Sequence, residues 1–391
     1  MNASAPTNKR LLALDVLRGI TIAGMILVNT PGSWEHIYAP LKHAVWLGLT
    51  PTDLVFPFFM FIMGISTYIS LKKYHFLLSY AAGIKLLRRT AVIFAIGLGL
   101  TWFSEFCYYW TAPTAGIGLV GQLWESVWSI PHMRLLGVMQ RLALAYGATA
   151  LIALTVRHRY IPYLIVALLV GYLLILTTGN GYAYNETNIL SVVDRAILTP
   201  AHMYKDNGID PEGLLSTIPA IAHVLLGFCV GRMLLGNPRK DEERTSALRS
   251  QLIDLFIVGT VLTFGGFLLN YGDPISKKIW SPSFVLVTCG MASSFLALLI
   301  WLIDLKAYRR WSRFFESFGV NPLFLYVLAG VLATLFDCIS IGNRTIHGWA
   351  YGWLSSLLPD TFASLVYALL FVILCWCIGY PLYRKKIYIK I

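Results

Sequence analysis

The 391 residues are 57% hydrophobic and 13% charged, with a mean hydropathy of +0.67 and a formal net charge of +12. Soluble domains carry about 25% charged residues, so this composition excludes an ordinary soluble fold. The Lys and Arg sit in short clusters between apolar runs, which argues against a nucleic-acid ligand and for orientation in a lipid bilayer. Six scattered cysteines show no metal-ligand spacing, so neither a disulfide framework nor a metal site is expected.

In chain order, a polar lead, MNASAPTNKR, precedes the first apolar run without a persuasive cleavage site, and predicts an uncleaved first span. Hydropathy predicts an all-α polytopic bundle of about ten helices, at about 11–30, 53–71, 86–104, 134–156, 160–178, 214–235, 251–270, 283–304, 316–338 and 361–383. Basic clusters then recur at every second connection. They are Lys9 and Arg10; Lys72, Lys73, Lys85, Arg88 and Arg89; Arg157 and Arg159; Arg239, Lys240, Arg244 and Arg249; Lys306, Arg309, Arg310 and Arg313; and Arg384, Lys385 and Lys386. All fall on one side if both termini are cytoplasmic, as the positive-inside rule requires.

The outer loops are then about 31–52, 105–133, 179–213, 271–282 and 339–360, poorer in Lys and Arg and richer in aromatic residues and amides. No repeat or separable soluble segment stands out, and one domain is expected. The loop at 179–213, with Asn185 and Glu186, has the mix of amides and aromatics that suits a polyhydroxylated ligand, or simply solvates.

Polar groups at membrane depth are costly and line cavities or pair with one another. Asp15 and Arg18 share a face of the first span, as an ion pair or an anion site near its cytoplasmic end. Asn29, at the other end of that span, could cap the helix or hydrogen-bond a reacting carbonyl. Gln140 and Arg141 lie inside the fourth span with no acid beside them in sequence, which calls for a ligand or a distant partner such as Asp15. Asn321 precedes Pro322 where a helix cap is the simple reading. His223, on an apolar face, reads as a packing residue.

The most informative stretch is LKHAVWLGLTPTDLVFPFFMFIMG, from Leu41 to Gly64. It sets His43 and Trp46 at the lip of a membrane helix, with Asp53 ten residues after the histidine. Imidazole can move a proton near neutral pH or attack an acyl group, and a carboxylate can orient it.

Together with ALDVLRGITIAGMILVN, RLLGVMQRLALAY, DPEGLLSTIPAIAHVLLG and FGVNPLFLYV, this block resembles the heparan-α-glucosaminide N-acetyltransferase family and its bacterial homologues, transmembrane acyltransferases. A related acyltransferase superfamily shares the Asp15-x-x-Arg18-Gly19 start but carries a histidine where this chain has Asn29. The resemblance implies acetyl-CoA as donor and the amine of an amino sugar or glycan across the membrane as acceptor. His43 would be catalytic, with Asn29 and Asp53 beside it.

The coenzyme A thioester is expected against Asp15, Arg18, Gln140, Arg141 and Asn321, with Arg18 and Arg141 at the cytoplasmic mouth. The acceptor is expected against Trp46, Asn185 and Glu186. The setting is expected to be a bacterial inner membrane, and a homodimer is allowed without a face to assign it to. The alternative is an amino-sugar or glycan-fragment transporter.

Overall fold

The computed structural model describes residues 11–112, 118–236 and 244–389. Lys9, Arg10, Arg239 and Lys240, used in the charge pattern, lie outside the described residues. The helices begin with α1 (Leu12–Asn29), α2 (Pro51–Lys72), α3 (Tyr80–Thr111), α4 (Leu119–Val127), α5 (Val138–Thr155), α6 (Ile161–Thr178) and α7 (Ile189–Leu198). They continue with α8 (Thr217–Leu235), α9 (Arg244–Leu269), α10 (Pro282–Leu299), α11 (Ser312–Val320), α12 (Pro322–Cys338), α13 (Ile346–Ser355) and α14 (Asp360–Arg384).

Among the described residues, nine helices are long and apolar enough to cross a membrane, and α11 with α12 makes a bent tenth candidate. The fold is the all-helical, multi-pass membrane bundle that hydropathy predicts.

Three expectations change. The third helix, expected at 86–104, runs for 32 residues, about 48 Å at 1.5 Å per residue. Towards its C-terminal end Trp102, Phe106 and Trp110 form a ladder with ring centroids 5.5 and 6.3 Å apart. The expected span at 316–338 is broken, its halves meeting at 86°. Pro322 cannot supply an N–H to extend α11, and Asn321 leaves helical geometry at φ −124°, ψ 58°. The outer loops also carry structure: α4 lies in 105–133, α7 in 179–213, and a small hairpin followed by α13 in 339–360.

Contacts between helix ends sort the connections onto two faces. On one, Lys72 Nζ donates to Leu235 O at 2.9 Å, and Ala13 N to Asp304 Oδ2 at 3.3 Å. On the other, Gly32 N donates to Ser364 O at 3.2 Å, and Leu135 N to His202 O at 3.0 Å. This is the alternation that the basic clusters predict. Helix α2 is held deep in the bundle by α8, where Gly64 and Gly227 bring the backbones together. A Cβ on either would come within 2.1 Å of the facing helix's carbonyl oxygen, so only a residue without a side chain allows this crossing.

Candidate active site

Helix α2 starts with a reciprocal cap. Thr50 and Asp53 form a capping box around Pro51, the first helical residue. Asp53 Oδ2 accepts from the Thr50 backbone N–H at 3.2 Å, the Thr50 hydroxyl at 2.9 Å and the Ala44 N–H at 3.1 Å. Its other oxygen, Oδ1, lies 2.6 Å from His43 Nδ1. A carboxylate at that distance places the ring proton on Nδ1 and leaves the lone pair on Nε2. The Asp53 side chain is 1% exposed and that of His43 43% exposed, so the dyad has a buried anchor and an accessible ring.

A second histidine shows what is particular about the first. His347 Nδ1 meets Asp337 at 2.6 Å, but its Nε2 is also bound, to Gly32 O at 3.0 Å. The bond to Asp337 lifts its basicity above that of an ordinary histidine. With both nitrogens donating, that ring braces α12 and α13 against the end of α1. Among the described residues, His43 Nε2 meets no such acceptor.

Three connecting segments on this face of the bundle interlock around His43. Gly48 N donates to Ile275 O at 2.7 Å and the Ser276 hydroxyl to Trp46 O at 2.6 Å. Trp46 Nε1 donates to Tyr182 O at 2.9 Å, and the Tyr182 hydroxyl to Asp273 at 2.6 Å. This framework delivers Lys277 to the dyad: its Nζ stands 3.1 Å from His43 Nδ1, 3.4 Å from Nε2 and 3.6 Å from Asp53 Oδ1. Burial pulls the Lys277 ammonium below its ordinary range, against the attraction of Asp53 and Glu212.

Glu212 belongs to an ionic network that continues inward. Arg134 donates to both Asp210 and Glu212 at 2.5 Å. Burial alone would raise the Glu212 carboxyl, but the guanidiniums of Arg134 and Arg141 hold it below its usual range. Arg141 is buried, donates to Gly213 O at 3.2 Å and to the Ser216 hydroxyl, and lies over the Trp280 ring at 5.1 Å.

This face of the bundle thus combines an oriented imidazole with a buried carboxylate and a cation at contact distance. Residues 10–261 match the family described as "Heparan-alpha-glucosaminide N-acetyltransferase, catalytic". The chain belongs to this family. Among curated proteins it is 26% identical over 437 residues to the human heparan-alpha-glucosaminide N-acetyltransferase, and 26% identical over 440 residues to the mouse protein of the same name. Each alignment covers 98% of this chain and 60% of the relative, so the chain spans about three fifths of their length. His43, Asp53, Arg141 and Glu212 lie inside the family match; Lys277 lies beyond it.

Of the residues expected at the site, the structure brings His43 and Asp53 together. Asn29 is exposed at the end of α1 and makes no side-chain hydrogen bond among the described residues. It lines a cavity of about 860 Å³ with Glu105, Arg134, Tyr204 and Tyr326, and His43 is not among the lining residues. Trp46 stacks on Tyr184 with centroids 4.5 Å apart and is half-buried. Asn185 and Glu186 are turned to the loop's own order: Asn185 accepts from Thr187, and Glu186 pairs with Arg195.

Arg18 and Arg141 do not share an end of the bundle. Arg141 sits with Ser216 and Trp280 at the starts of α8 and α10, whereas Arg18 donates to Ser66 at 2.7 Å and Gly319 O at 3.3 Å and pairs with Asp15. Ser66 follows Asp53 by thirteen residues of helix, about 20 Å along α2. Arg18 therefore braces α1, α2 and the end of α11.

Asn321 takes the N-cap position of α12 but makes no side-chain capping bond. Its amide donates to Ile387 O at 2.8 Å and accepts from Ile389 N at 2.9 Å, clasping the chain beyond α14. Gln140 is buried with its Nε2 unpartnered among the described residues, as are Arg141 Nε and Nη1 on the next residue. His223 packs as expected, bonded to Pro57 O at 2.9 Å.

Sequence reasoning missed Lys277, Glu212 and the role of Arg134. A signal for Lys277 was present: Lys277 and Lys278 form a basic pair in a connection that the charge pattern assigns to the base-poor outer side. Lys278 is absorbed by Asp206 at 2.5 Å and by Tyr184; Lys277 is directed to His43.

Proposed function

We propose that this chain is a transmembrane acetyltransferase, moving an acetyl group from cytoplasmic acetyl-CoA through His43 to the amine of an amino sugar or glycan on the outer side. The observation that carries this reading is the His43–Asp53 pair: a buried, fully bonded carboxylate fixing one nitrogen of a ring that is 43% exposed. The relatives' names supply the reaction class. The setting we infer is a bacterial inner membrane, with the basic face inward.

In a covalent route, Nε2 attacks the thioester carbonyl, the C–S bond breaks and CoA leaves as the thiolate. The acceptor amine then displaces the imidazole from the acetyl carbon and loses a proton. In a direct route, Nε2 takes that proton while the amine attacks the thioester. The orphaned donors of Gln140 and Arg141 fit carbonyl oxygens of the donor's pantetheine arm. The half-buried Trp46 fits a sugar face.

Purified protein given acetyl-labelled CoA should release CoA on addition of glucosamine. His43→Ala should reduce that rate at least about 100-fold. Label on the protein before acceptor is added selects the covalent route. Absence of transfer to any amino sugar, with uptake of sugar into vesicles, overturns the reading. A transporter of amino sugars would then lead, as the broken α11–α12 pair and the polar-lined cavity would suit.

A further inference from the structure

We propose that Lys277 is a positioning residue for His43, its ammonium disfavouring the charged imidazole and so keeping Nε2 unprotonated. The inference builds on His43 as the group that handles the acetyl or the proton, and adds a residue that sets its charge.

Asp53 Oδ2 is filled by three donors, so the His43 ring and Lys277 share Oδ1. With the ring uncharged, one cation and one anion balance. A proton or an acyl group on Nε2 would put a second cation 3.1–3.4 Å from the first, with no second anion in contact. At that separation in a partly desolvated site, like charges repel one another strongly.

Nor can Lys277 easily withdraw. The preceding residue is tied on both sides, its hydroxyl to Trp46 O at 2.6 Å and its N–H to Ser281 Oγ at 3.0 Å, and the Lys277 side chain is 17% exposed.

The remaining charges around the pair do not undo the balance. Behind Lys277 lie Glu212 and Arg141, which act on it in opposite senses. Lys278 is spent on Asp206, Asp273 holds the Tyr182 hydroxyl, and Lys42, next to His43 in the chain, is exposed. The consequence for transfer is that any cationic state of the ring is raised in energy, and the ring passes on its proton or acetyl group promptly.

The test is the pH dependence of His43 labelling by diethyl pyrocarbonate, which acylates the uncharged imidazole. Native protein, Lys277→Met and Lys277→Arg, each checked by size exclusion, are labelled from about pH 5 to about pH 9, and the His43 peptide is quantified by mass spectrometry. Loss of the cation should move the labelling midpoint up by about one pH unit or more, and arginine should leave it within a few tenths. An unchanged or lowered midpoint in Lys277→Met overturns the proposal. Should that variant fail to fold, Lys277→Gln carries the same expectation.

Labelling requires neither donor nor acceptor. A native chain that moves no acetyl group would defeat the proposed function and leave this titration to be judged by itself. In a chain that does transfer acetyl, the acid limb of the rate profile should move with the midpoint.

Discussion

At the scale of single residues, buried charge separates structural groups from reactive ones. Asp194 is fully buried beneath the loop that follows α7, accepting the Leu214 N–H at 2.8 Å while its Oδ2 has no hydrogen-bond partner among the described residues. Burial first, then the nearby Asp210, pushes its carboxyl up to about 6 from 3.8. The folded chain therefore binds more protons than the unfolded chain between those values, and this group's contribution to stability falls as pH rises from about 4 to about 6. The shift corresponds to about 3 kcal/mol. Asp194→Asn keeps the acceptor and removes the charge. Thermal melts in detergent should show the variant gaining on the native protein at pH 7.5 and not at pH 4; an equal offset at both would refute this account.

Legibility at this scale was uneven. His43 and Asp53 stood out because a carboxylate and an imidazole at a helix mouth are rare company. Thr50-x-x-Asp53 is also a readable capping signature, and it accounts for the bond network at Asp53 Oδ2. Asn29 was read as a neighbour of His43, and the structure places it in a cavity whose lining excludes His43. No local pattern fixes how a helix terminus rotates relative to the loop that follows it.

At the scale of elements, α2 is the member that carries the site, through its capped start and its close crossing with α8. Thr50→Val removes the capping hydroxyl and one of the three donors at Asp53 Oδ2, and should cost about 1 kcal/mol of stability. Acetyl transfer should drop with it, and a variant of normal rate would detach the cap from the chemistry. Gly227→Val would push a side chain into the carbonyl of Phe61, costing about 1–3 kcal/mol. A melting temperature unchanged in that variant would mean that α2 and α8 can part without loss. Such crossings were hidden in the sequence, because glycines are spread over most of the helices and only the partner decides which ones face a backbone. The break at Asn321-Pro322 was half legible: the proline announced a helix start, but hydropathy ran straight through it.

At the scale of the whole molecule, hydropathy and the placement of Lys and Arg were enough to order the spans and to sort their ends into two groups. The observed contacts at Lys72, Asp304, Gly32 and His202 group those ends in the same way. In a cysteine-free background, a membrane-impermeant maleimide added to intact cells should label Val45→Cys, in the exposed segment after His43. It should label Lys73→Cys only after the membrane is opened. The reverse pattern would invert the molecule and separate His43 from its proposed acceptor. The internal layout of the outer connections escaped the sequence because α4, α7 and α13 are too short to register as spans.

Asp53 serves at once as the cap of a membrane helix and as the anchor of the reactive ring. A screen for inactive variants will therefore recover this position for two unrelated reasons, protein missing from the membrane and protein present but inert. The phenotype alone will not distinguish them. Assigning chemistry to the site from genetics will depend on residues with a single allegiance, and Lys277, which caps nothing and spans nothing, is the better place to look.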